Sequence, residues 1–92
     1  FPLDARRDIG FQLDRIQRGR DPFDWKPMTT IGTGVREIRY RDATGAFRVI
    51  YVARFEEAIY VLHAFQKKPQ QTSKRDLMIA QQRLRAITER DE

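Results

Sequence analysis

Two runs of alternating side chains around a four-residue turn, GVREIRYR-DATG-AFRVIYVAR at positions 34–54, constrain this chain more than any other feature. Successive side chains of an extended strand point to opposite faces, so alternation fixes which residues share a surface. In the first run Val35, Glu37, Arg39 and Arg41 fall on one face, and Arg36, Ile38 and Tyr40 on the other. In the second, Arg48, Ile50, Val52 and Arg54 share one face, and Phe47, Val49, Tyr51 and Ala53 the other. The intervening DATG, ending in a glycine that tolerates positive φ, predicts a hairpin turn. A hairpin folded there can set Arg39 beside Arg48.

The remaining segments build around that hairpin. FEEA predicts a second turn, and IYVLHAF at 59–65, apolar on both faces, predicts a central strand. Ala5, Ile9, Leu13 and Ile16 share a helical face between Pro2, which suits a helix start, and Gly19, which suits its end. Leu77, Ala80, Leu84 and Ile87 form a second helical stripe, with Thr72 or Ser73 as the N-cap. RDPFDWKPM at 20–28 predicts an irregular connection whose Phe23 and Trp25 pack into the core. Helix, three-stranded meander and helix make an α+β class, with the helices packed on an antiparallel sheet.

A chain of 92 residues is expected to form a single domain over 1–92. It has no cysteine, which excludes disulfides and thiolate metal sites and suits a reducing cytoplasm. No apolar stretch approaches the roughly 18 residues of a membrane span, so no membrane partner is expected. The formal net charge is +5, and it is unevenly placed. Residues 1–25 balance five cations with five anions, whereas residues 26–54 carry six cations against Glu37 and Asp42. A localised basic surface of that kind suits a phosphate-bearing partner.

Familiar catalytic constellations are missing. One histidine and scattered carboxylates do not make a metal site, so neither a metal nor a cofactor is expected. GTG at 32–34 precedes a strand, the reverse of a phosphate loop's order. What remains is cationic chemistry on a sheet. Arginines on a rigid strand present a planar fork to phosphate, and Lys67 and Lys68 leave the third strand beside them. Metal-free RNA cleavage uses the neighbouring 2′-hydroxyl as nucleophile, and needs a base, an acid and cations for the phosphorane. Lys67 or Lys68 could act as acid or base after a pKa drop caused by like charges, and Glu37 is a second candidate base. His63 either transfers a proton or plays a structural, substrate-orienting part. Arg41, Arg54, Gln66, Lys74 and Arg75 extend the surface as candidate RNA contacts.

The residues GVREIR, GAFRVIY, LHAFQKK and TSKRD with AQQRL carry a resemblance to the RelE superfamily of bacterial toxins, in its phage-derived HigB-like branch. The resemblance covers nearly the whole chain. It implies a microbial-RNase-like α+β fold and a cytoplasmic toxin of a toxin–antitoxin system. Such a toxin is an endoribonuclease, or mRNA interferase, that inhibits translation by cleaving mRNA in the ribosome, and a cognate helix-turn-helix antitoxin neutralises it. The family's strand cation before the hairpin matches Arg39, its transition-state arginine matches Arg48, and its basic residue at the end of the last strand matches Lys68. Two departures stand out: Glu37 occupies a position that is basic in RelE, and the tyrosine of the RelE final helix has no counterpart. Relatives also carry an N-terminal strand before the first helix, which is expected to be missing here. Its loss would uncover a sheet edge for the antitoxin or another copy. A ParE-like gyrase inhibitor, or a relative that only binds nucleic acid or a partner, would share the fold without the chemistry.

Overall fold

A computed structural model of the chain describes residues 1–55, 58–67 and 73–91, leaving aside the side chains of Arg54, Phe55, Arg90 and Asp91. The element order is α1 (Leu3–Gln17), β1 (Trp25–Pro27), β2 (Val35–Asp42), β3 (Gly45–Phe55), β4 (Ala58–Lys67) and α2 (Lys74–Asp91). The α+β class expected from the sequence is the observed one.

Helix α1 starts after Pro2 and closes on Gly19, whose φ of +81° is open to glycine at little cost. The Gly19 and Arg20 N–H groups donate to the Ile16 and Arg15 carbonyls at 3.0 and 2.9 Å, satisfying carbonyls the helix leaves exposed. Its face of Ala5 and Ile9 meets Ile38, Phe47, Val49 and Tyr51 on one side of the sheet, with Leu13 and Ile16 at the margin. On the other side Ala80 and Leu84 of α2 meet Val35, Ile50, Val52 and Leu62. Each valine, leucine or isoleucine among them, fully buried, contributes about 1.5–3 kcal/mol. The alternation in β2 and β3 therefore sorts the two cores without exception.

The strands pair antiparallel in the order β1-β2-β3-β4. Three expectations need correction. The connection at 20–28 contains a fourth strand, β1, too short and proline-limited to show alternation. The run at 59–65 lies in β4 at the end of the sheet order, so it is an edge strand and not a central one. One face packs on α2 through Tyr60, Leu62 and Phe65; on the other only Ile59 reaches the α1 core, and Val61 and Ala64 are exposed. Phe23 is not in the core: 61% of it is exposed, and it stacks on Phe11 with ring centroids 5.8 Å apart. Its N–H donates to Oε1 of buried Gln12 at 3.1 Å, while Pro22 turns inward in its place. Trp25 is half-buried beneath the Arg36 guanidinium, which sits 4.1 Å from its ring centroid.

One irregularity shapes β4. Ile50 pairs with His63 but Tyr51 pairs with Val61, so Leu62 is an extra residue forming a bulge. Leu62 packs into the α2 core and His63 bonds Asp76 of α2, so both adjacent side chains serve the same face.

Candidate active site

The hairpin delivers a row of side chains across the sheet. Arg39 on β2 is the register partner of Arg48 on β3, and Arg48 is the partner of Phe65 on β4. This row lies on the α2 side, since neighbouring Val35, Ile50 and Val52 all pack against α2. Strand parity carries Lys67 to the same side two residues after Phe65, and β1 sets Lys26 opposite Glu37.

Arg48 is nearly buried, at 7% exposure, and Glu37 is 1% exposed. The Arg48 Nε lies 3.4 Å from Glu37 Oε1, and Lys26 Nζ approaches the same oxygen to 3.9 Å. Arg48 Nη1 also donates to the Phe47 carbonyl at 3.1 Å. Removing two charges from water is costly, and their mutual attraction offsets that cost. Burial pushes the Arg48 guanidinium below its ordinary value; Glu37 opposes this, and Arg39 and Arg41 add to it. An arginine so lowered is still a cation at neutral pH.

Arg39 is more open. Its Nε and Nη2 donate to Asp24 Oδ1 at 3.2 and 2.8 Å, and its backbone N–H donates to the Asp24 carbonyl at 2.8 Å. Asp24, Arg39, Tyr40, Arg41 and Arg48 line a cleft of about 310 Å³, within the size range of small-ligand sites. Burial, then the charges of Arg48, Lys26 and Arg39, hold the Lys67 ammonium below the ordinary lysine value, with Glu37 opposing. The cleft can bind an anion between two arginines; Lys67 shares that face of the sheet but is not one of the residues lining the cleft.

The structure thus brings Arg39, Arg41 and Arg48 together around the cleft, with Glu37 beneath Arg48. His63 does not line it. The His63 Nε2 lies 2.7 Å from Asp76 Oδ1, and its ring stacks on Phe65 with centroids 4.9 Å apart. Ser73 completes the join as N-cap of α2: its Oγ accepts from the Asp76 N–H at 3.1 Å and donates to Asp76 Oδ2 at 2.6 Å. Gln66 donates to the Thr44 carbonyl at 3.3 Å, tying β4 to the hairpin tip. Lys74 and Arg75 are exposed on the first turn of α2. Lys68 and the side chain of Arg54 lie outside the described residues. Among the described residues no group of three or more His, Asp or Glu is placed to hold a metal ion, and no helix is long and apolar enough to cross a membrane.

Sequence reasoning missed Asp24, Lys26 and Phe65. The first two reach the site only because β1 pairs with β2, and β1 has no periodic signature. Phe65 could have been found, since it shares strand parity with Lys67.

Comparison with known proteins bears on residues 1–85, which match the family model described as phage derived protein Gp49-like (DUF891). No curated protein and no solved structure matches the chain.

Proposed function

The chain belongs to the Gp49-like family of phage-derived proteins, and from that premise we infer that it is the toxin of a toxin–antitoxin pair. Its activity is cleavage of mRNA on the ribosome, in the manner of HigB-like members of the RelE superfamily. The observation that carries this reading is the cross-strand pair of Arg39 and Arg48 on one wall of an open cleft. Two guanidiniums fixed by a sheet suit the non-bridging oxygens of a phosphodiester and the extra charge of its phosphorane.

The reaction is transesterification. The 2′-oxygen attacks the adjacent phosphorus, and the P–O5′ bond breaks. The products are a 2′,3′-cyclic phosphate and a 5′-hydroxyl end, and no external reactant is consumed. Arg48 stabilises the phosphorane and Arg39 holds the phosphate. The lowered pKa of Lys67 suits it to protonate the departing 5′-oxygen. Lys74 and Arg75, exposed on the first turn of α2, add positive charge that steers polyanion. Ribosomal substrate places the action in the cytoplasm, and the neutralising partner is a helix-turn-helix antitoxin. The outer edge of β4 offers that antitoxin, or a second copy, a strand to pair with.

The test is incubation of purified protein with mRNA on stalled ribosomes in the presence of a chelator, with cut sites mapped by primer extension. Wild type should cut and Arg48→Ala should not. Equal cutting by both would remove Arg48 from its role. Intact mRNA with wild type, accompanied by trapped gyrase–DNA complexes, would replace the reading altogether.

A further inference from the structure

The ribonuclease reading leaves the base that takes the 2′-hydroxyl proton unassigned, and the geometry points to Asp24. Glu37, the carboxylate that strand parity suggested, is sealed in the sheet at 1% exposure, with its Oε1 between Arg48 and Lys26. A base has to reach the proton it removes. Among the described residues lining the cleft, Asp24 is the carboxylate, and 61% of its side chain is exposed.

Two features suit Asp24 to this work. Its side-chain bond to Arg39 is an exposed ion pair, and pairs of that kind contribute only about 0–1 kcal/mol. An incoming phosphate can therefore take the Arg39 fork without a large cost. The main chain behaves differently, because the Asp24 carbonyl accepts from the Arg39 N–H at 2.8 Å in the β1–β2 pairing region. The carboxylate, once displaced by phosphate, is still held at the rim of the same cleft. It stands beside the phosphate it has made way for, which is where the 2′-hydroxyl lies. Its charge also reaches Arg48, which places it within electrostatic range of the phosphorane site.

The step balances. Asp24 takes the 2′-proton as the 2′-oxygen forms its bond to phosphorus, and Lys67 gives its proton to the 5′-oxygen as that bond breaks. The neutral acid and the neutral amine then exchange protons with solvent.

The experiment compares wild type, Asp24→Asn and Asp24→Glu in single-turnover cleavage across pH, with affinity measured on RNA carrying 2′-deoxyribose at the cut site. Asparagine matches aspartate in size, and the exposed position leaves the core intact. The inference expects Asp24→Asn to lose about 100-fold or more in rate. It expects unchanged or tighter binding and disappearance of the acidic limb of the pH profile, with Asp24→Glu restoring that limb. Cleavage by Asp24→Asn at the wild-type rate, or slowed cleavage with the acidic limb intact, overturns it, the latter assigning Asp24 to holding Arg39. Wild type that binds the deoxy substrate but never cuts RNA overturns the ribonuclease reading itself, and the base with it.

Discussion

The Nε atom of Arg48 lies 3.4 Å from Oε1 of Glu37, with only 8% of one side chain and 1% of the other exposed. Arg48 is therefore held from below by a carboxylate that substrate cannot reach. Loss of Glu37 leaves the Arg48 charge inside the sheet without its carboxylate, whereas after loss of Arg48 Lys26 still stands 3.9 Å from Glu37 Oε1. Glu37→Ala should destabilise the fold by about 3–5 kcal/mol, Arg48→Ala by less, and the double variant by much less than their sum. Urea denaturation of the four proteins measures this, and strictly additive losses would show that the two side chains are independent.

Lys67 should titrate below the ordinary lysine value of 10.5, chiefly through burial and then through repulsion from Arg48. The sign follows from those causes: removing a neighbouring cation makes protonation easier and raises the midpoint. NMR titration of the Lys67 ammonium should show an upward shift in Arg48→Gln. A midpoint that stays put would exclude Arg48 as a cause.

The start of α2 should be sensitive to acid. Burial alone would raise the Asp76 pKa, but hydrogen bonds from Ser73 and His63 outweigh it and hold the group below its ordinary 3.8. A carboxylate depressed by folding contributes stability above its unfolded pKa and loses it as pH falls through its folded value. Asp76→Asn should therefore be less stable than wild type at neutral pH, with the gap closing below about pH 3.8. Ser73→Ala should cost about 1 kcal/mol at neutral pH through loss of the cap. Thermal melts at several pH values check both.

Gly45 closes the hairpin with φ of +142°, and a Cβ there would meet Gln66 Nε2 at 2.7 Å. Gly45→Ala should destabilise by about 1–3 kcal/mol, the cost of a strained backbone. Adding Gln66→Ala relieves the collision but not the dihedral, so the double variant should recover only part of the loss. Full recovery in denaturation experiments would mean that the collision was the whole effect.

The parts of the molecule legible in its sequence are those governed by a local period. Parity on each side of the DATG turn allows Arg39 and Arg48 to share a face, and the register pairs them directly. The helical stripes of Ala5 with Ile9 and of Ala80 with Leu84 likewise mark the two buried faces. What stayed hidden depends on long-range pairing. Asp24 meets Arg39 because three residues, one of them Pro27, add a strand beside β2. Phe23 has a core residue's composition, yet the turn that fixes its N–H on Gln12 leaves its ring outside. The resemblance to a toxin branch pointed to the same arginines, and the matching family model is coarser than that branch.

The bulge at Leu62 has a consequence for how the chain can change in length. Before it, Tyr60 faces α2; after it, His63 does, so one residue is absorbed without a change of side. A chain lacking one residue between Val61 and Ala64 could run as a regular strand and still carry Phe65 and Lys67 to the same face. The same deletion between Phe65 and Lys67 would turn Lys67 toward α1. Alignments of relatives should therefore place a single-residue gap in β4 at this point, and count lysine positions backward from the strand's end.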